Sequence, residues 1–587
     1  MLFIFIIWLY IAFVSYILGS FVLKLSFRFL QISVGQMDNF PIISLIGLGY
    51  LSVICNVLSL FMPMRLMAHL IVLSLLLAIL LGNYKHLWQN IQSYFGQFQG
   101  RTRILLAVFF TFLAVQSLPI SYRTDESSYY IQTIRWMEQY PVIMGLGNIA
   151  PCYSYNSSWH LLCAFFRCSF LGFDNLFNDL NGYLYGMIFL YALPGIQLLG
   201  RGSARFRELT KIAVIVLGYF LMRGVVATIT ADMAVAFFVW LILTLWFEEL
   251  LFQEKNSSWV YLVSLALFVF TIKLSAILLT LVPFYFFWKS IYLQKIRQAL
   301  YISALCLIFC VPYFTKNVLS SGYLLSPMTM IDVFEVDWKV PKALDQGGLI
   351  GFDYLLEPYL TGITHQRELL EDEEGKLTIV GKRLTFKELI IENLIGLNLY
   401  SLLFIGSIVL VVIIHAILWI KKPPYFRQIS LESDFRMLFM MMYLGILFIL
   451  FLIPSWKTAQ FRIGMGFLLF YISSTLPVLF FLIQEKYQKR AAYVLYVFII
   501  LLVIKNLYNV EDKPFLFQNY WLYPPKYPEV PTQKTKVGNI TFYVVIQNEL
   551  PKEIQCWGSE IPCYSEYPTW IEARGDGIKD GFRWKKK

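Results

Sequence analysis

Two adjacent carboxylates, Asp125 and Glu126, open the stretch "DESSYYIQTIRW", which lies between a long apolar run and Pro141. Thr124 is placed to cap a helix, with both acids in its first turn and Tyr130, Ile134 and Met137 repeating at helical spacing. The pair can simply complement the helix dipole. It can also supply a base that draws a proton from a hydroxyl group. The residues alone leave both readings open.

Other polar groups stand at the edges of apolar runs. Asp232 in "TITADMAVAFF" begins one such run, as a cap or as a functional acid. Lys273 in "TIKLS" breaks another, where an ammonium must snorkel outward or meet an anion. Trp159 and His160 in "NSSWH" suit a membrane–water boundary. Lys316 lies beside a glycine-containing turn, and Lys457 and Arg462 sit at the mouth of a later run. Arginine suits phosphate oxygens through its planar fork, although each of these cations alone can anchor to lipid headgroups.

The elements that must position these groups are membrane helices. Of 587 residues, 58% are hydrophobic and only 14% charged, and the mean hydropathy is +0.63. Recurrent apolar runs approach the roughly 20 residues that cross a bilayer. The expected architecture is an all-α polytopic membrane protein with about 14 transmembrane helices. They fall at 2–22, 41–62, 66–83, 104–120, 180–199, 211–222, 232–251, 258–272, 275–288, 299–314, 398–420, 437–454, 463–483 and 491–507. The net charge of +11 then reflects basic cytoplasmic loops and gives no reason to expect a nucleic-acid partner.

Lys and Arg cluster on alternate loops, which places those loops inside. Segments 121–179 and 315–397 and the tail 508–587 are then extracytoplasmic. The membrane domain spans 1–507, with two interfacial helices in its first large loop and a small external tail. Within that tail "CWGSEIPC" carries Cys556 and Cys563, which an oxidising compartment would join and a reducing one would leave as free thiols.

Taken together, the acid pair, the later Asp232, "TIKLS", "KNVLSSGYLLSP" and "FRIG" resemble the GT-C superfamily of integral-membrane glycosyltransferases. The chain more closely resembles a bacterial family of GT-C-like membrane proteins sharing the "DE..YY.QTIRW", "GLGN", "NSSWH" and "VDWKVP" motifs, a "CW....PC" tail and "RG...DGFR". The resemblance implies a glycosyltransferase of the bacterial inner membrane, working on its extracytoplasmic face. A polyprenyl-phosphate-linked sugar would be the donor, and an envelope glycan, lipid or protein the acceptor. Asp125 would be the general base, with Glu126 as its substitute. Lys273, Arg462 and Lys316 would bind the donor phosphate, and Asp232 and His160 would orient the acceptor or a divalent metal such as Mg or Mn. Two other membrane activities compete: an O-antigen-type polymerase or ligase, and a transporter of envelope precursors. A non-enzymatic scaffold is a third alternative. A transporter fits less well, because no internal repeat is visible and the charges lie near one surface.

Overall fold

A computed structural model describes residues 1–32, 39–119, 125–172, 179–202, 206–222, 226–252, 258–329, 331–341, 365–371, 377–383, 440–447, 464–481, 530–546, 556–564 and 569–585, with residue 204 and isolated positions between 413 and 501. Helices dominate. In chain order they are α1 (Leu2–Leu30), α2 (Phe40–Ser59), α3 (Leu66–Gly96), α4 (Gly100–Ser117), α5 (Ile131–Gln139), α6 (Ser158–Phe166), α7 (Asp179–Arg201), α8 (Phe206–Met222), α9 (Ala231–Phe252), α10 (Ser258–Ile272), α11 (Leu281–Tyr292), α12 (Ile296–Ser321) and α13 (Met465–Phe481).

Seven of the described helices are long and apolar enough to cross a membrane, which makes this a helical membrane protein. The segments expected at 398–420 and 491–507 lie largely outside the described residues, and residues 440–447 are the described helical part of the one expected at 437–454. Three helices run well past the ends of their expected spans, α1 among them, which continues to Leu30. α3 continues to Gly96, and α12 continues to Ser321, where Gly322 at φ +83° ends it. Lys316 therefore belongs to a helix and not to the loop where the sequence placed it.

One large apolar core joins α1, α2, α7, α9 and α10. α1 and α2 touch through small residues: a Cβ on Gly47 would stand 1.8 Å from the Ser15 carbonyl oxygen. The first loop carries two helices, α5 and α6, where two were expected. All nine residues of α6 are buried, Trp159 and His160 among them, because "SWHLLCAFF" is apolar all round and packs against α2, α5 and α7.

Short strands accompany the helical bundle. β1 (His365–Glu371) pairs antiparallel with β2 (Leu377–Arg383). In the tail, β3 (Thr532–Val537) pairs with β4 (Ile540–Val545), which takes the short β5 (Cys563–Tyr564) in parallel. β6 (Ile571–Ala573) and β7 (Phe582–Trp584) form a further antiparallel pair. So few strands cannot bury a core of their own. The tail strands share one with the first loop, built from Trp136, Ile143, Leu146 and Tyr153 on one side and Ile540, Phe542, Ile571 and Phe582 on the other.

Candidate functional site

The acid pair does not open an ordinary α-helix. Glu126–Tyr130 forms a single π-helical turn, closed by the Ile131 N–H donating to the Glu126 carbonyl, and only then does α5 begin. Such turns recur at functional sites because they re-aim neighbouring side chains. Here the turn separates the two carboxylates. Glu126 is buried, 1% exposed, and its Oε1 accepts the Ile229 N–H at 3.0 Å. Asp125 stays partly exposed. Thr124, the expected cap, lies outside the described residues.

Glu126 is one of three side chains that pin the segment leading into α9. The His160 ring nitrogen Nε2 meets the Ile229 carbonyl at 3.2 Å, and Asn181 Nδ2 donates to the Thr228 and Thr230 carbonyls at 2.7 and 3.2 Å. Trp159 Nε1 holds Asn181 in turn, at 3.0 Å. The result is a fixed start for α9, with Asp232 in its first turn. Asp232 Oδ2 accepts the Thr230 hydroxyl at 3.2 Å, and its Oδ1 takes an ion pair from Lys273.

Lys273 occupies the expected break, in extended conformation between α10 and a 3-10 helix at Leu274–Thr280. Its side chain is 34% exposed, so the ammonium can reach solvent or a ligand while still paired to Asp232. Tyr130 lies over His160 with ring centres 4.7 Å apart. Burial pushes the Tyr130 phenol up to about 12; nearby Asp232 and Asp125 add to the shift and Lys273 opposes it. Burial likewise holds His160 down at about 4, so the imidazole is neutral at physiological pH.

Asp125, Glu126, Tyr130, His160, Asp232 and Lys273 are thus gathered at one end of the bundle from four separate parts of the chain. Lys316 is not paired into this cluster. It is buried in α12. Arg462 and Lys457 lie outside the described residues. Among the described residues no three His, Cys, Asp or Glu side chains assemble a metal-holding group.

The sequence reading missed what covers this cluster. Gln132 Nε2 donates to the Trp557 and Ser559 carbonyls at 2.9 and 3.0 Å, and Arg135 donates to the Gly558 and Ser559 carbonyls. The Trp557 N–H returns a bond to the Ser127 carbonyl at 3.2 Å. Cys556 and Cys563, joined in a disulfide, close this hairpin over the start of α5. Further along, Arg574 grips Asp337 with two bonds of 2.9 and 3.1 Å and lies 4.8 Å from the Trp338 ring centre. The guanidinium holds the Asp337 carboxyl below its ordinary range. Asn148 Nδ2 bridges the Trp338 and Phe582 carbonyls. Gly145 permits this approach: at φ +65°, a Cβ there would stand 2.0 Å from the Phe582 carbonyl oxygen. The first loop, the segment after α12 and the C-terminal strands therefore lie on one side of the bundle.

These features define a polytopic helical membrane protein with a polar cluster at one end, roofed by its first loop and its C-terminal strands. The chain belongs to the family described as a domain of unknown function, DUF8201, whose model matches residues 1–469. No curated protein and no solved structure matches it.

Proposed function

We propose that the protein is a membrane glycosyltransferase of GT-C type, taking a sugar from a polyprenyl-phosphate donor to an envelope glycan, lipid or protein acceptor on the extracytoplasmic face of the bacterial inner membrane. The observation that carries this reading is the grouping of a partly exposed carboxylate, Asp125, with the Asp232–Lys273 ion pair around Tyr130 at one end of a membrane bundle. A base and a reachable cation side by side are what transfer to a hydroxyl with loss of phosphate requires.

In this reading Asp125 takes the proton of the acceptor hydroxyl as its oxygen bonds to the anomeric carbon. The bond from that carbon to the phosphate oxygen breaks on the opposite face, its electron pair leaving with the polyprenyl phosphate, so the sugar inverts. Lys273 offsets the charge that grows on the phosphate, and Arg462 is the second candidate for that role. Asp232 and His160 set the positions of Lys273 and Tyr130.

The test is transfer from a polyprenyl-phosphate sugar by purified protein. Asp125→Asn keeps the shape of the side chain but accepts no proton, so it is expected to lower turnover about 10²- to 10⁴-fold with donor binding intact. Lys273→Met should weaken donor binding as well as turnover, since a phosphate contact acts in ground and transition states alike. Full activity in Asp125→Asn removes it from the reaction.

A further inference from the structure

A cleft lies between α5 and α12, floored by the 3-10 helix at Pro151–Ser154 and the residues that follow it. It holds about 440 Å³ of empty space, its open mouth included. Thr133 and Trp136 face it from one side of α5, three residues apart, and Lys316 and Ser320 face it from one side of α12, four apart. Tyr140 and Tyr153 add aromatic walls.

Four polar atoms at this one cleft have no hydrogen-bond partner: Lys316 Nζ, Thr133 Oγ1, Trp136 Nε1 and Asn156 Oδ1. Asn156 spends its amide on the Tyr313 carbonyl, at 3.0 Å, which leaves its oxygen facing nothing. Buried polar groups are ordinarily satisfied, and a buried ammonium without a counter-charge is costly. Lys316 is only 5% exposed. Four such atoms, three donors and one acceptor, belong to residues that line one space.

We propose that this cleft is an acceptor subsite for a sugar bearing a single carboxylate. This rests on the glycosyltransferase reading, which makes the cleft a neighbour of the transfer centre through Tyr155 and Tyr129, whose rings are 5.8 Å apart. Among the described residues that line the cleft Lys316 is the one cation, and one ammonium balances one negative charge, which favours a carboxylate over a doubly charged phosphate. The threonine hydroxyl and the indole N–H supply further donors to that anion, and the Asn156 oxygen receives a ring hydroxyl. The aromatic walls match the apolar faces of a sugar ring. The flexible lysine stem lets the ammonium swing toward the incoming anion.

The experiment uses the full-length protein in lipid nanodiscs, with glucuronate, glucose and inorganic phosphate as probes and no donor present. Glucuronate should bind at least tenfold tighter than glucose, and phosphate should compete poorly. Lys316→Met keeps the apolar stem and should reduce glucuronate binding to the level of glucose, with no fall in unfolding temperature. Thr133→Val should weaken glucuronate severalfold. Glucuronate binding that survives Lys316→Met overturns the proposal, as does failure of glucuronate to bind the unaltered protein. Displacement by phosphate at equal strength makes this a general anion site and overturns the sugar assignment. Asp125→Asn should bind glucuronate normally, so loss of transfer chemistry and loss of this subsite are separable outcomes.

Discussion

Glu138, in the last turn of α5, forms an ion pair with Arg167 at the end of α6, and the Ser169 hydroxyl donates to the other carboxylate oxygen. The side chains are 1% and 2% exposed, so neither charge can turn to water when its partner is removed. Breaking a buried pair of this kind costs about 3–5 kcal/mol. Glu138→Gln preserves shape and one acceptor, which puts it at the lower end, about 3 kcal/mol. At about 1.4 kcal/mol per decade, that raises the open population of α5 about 100-fold. Hydrogen exchange followed by mass spectrometry reads this directly: amides of residues 131–139 should exchange about 100-fold faster, while those of α9 and α10 hold. The double variant Glu138→Leu with Arg167→Met, which replaces the pair by apolar volume, should recover most of the protection. An α5 exchange rate within threefold of the unaltered protein in Glu138→Gln would refute the reasoning, since it would mean the pair holds nothing in place.

Gly145→Ala forces a Cβ against the Phe582 carbonyl at a positive φ, and should cost at least about 2 kcal/mol, seen as faster proteolysis of the C-terminal strands. Cys556→Ser opens a short loop worth about 2–3 kcal/mol; the tail strands should lose protection while the membrane helices keep theirs. His160 has a folded pKa of about 4, below its ordinary 6.5, so its neutral form is the stable one. Its contribution is present above pH 6.5 and is lost as pH falls toward 4, on the order of 3 kcal/mol, and His160→Gln should flatten that part of the unfolding profile. Asp232→Asn leaves Lys273 partly solvated, so stability should fall by only about 1 kcal/mol while activity falls far more.

Much of the bundle was legible because apolar runs report their own burial. α1, α2, α7, α9 and α10 coincide with runs read from hydropathy, and the break at Lys273 was visible as a charge between two such runs. Pairings were not legible. Nothing local in "TIKLS" points to Asp232, 41 residues away, since periodicity describes a helix face and not what the face meets. The burial of α6 was not legible either, since a nine-residue apolar helix ending a polar loop does not say which helices it meets. Lys316 was misplaced because hydropathy falls at the charge, whereas the helix stops only where Gly322 turns it.

The long-range contacts explain why the motifs of this chain lie so far apart. "QTIRW" supplies Gln132 and Arg135, which hold the backbone of "CWGSEIPC". "GLGN" supplies Gly145 and Asn148, which admit "VDWKVP" and "DGFR", and the arginine of "ARGDG" closes on the aspartate of "VDWKVP". Residues that looked like five separate signals are one roof seen in five places. Its attachment begins at Ser127, inside the π turn, directly beside the two carboxylates. Glu126 is engaged with the Ile229 amide and Asp125 keeps its partial exposure, so two neighbouring acids meet different surroundings because of the turn that carries them. Environment decides the roles of paired carboxylates more than identity does. On the transferase reading, a base at Asp125 therefore depends on a tail that begins some 400 residues later in the chain: the disulfide-closed turn that clamps Ser127, Gln132 and Arg135 fixes the turn that separates the two acids.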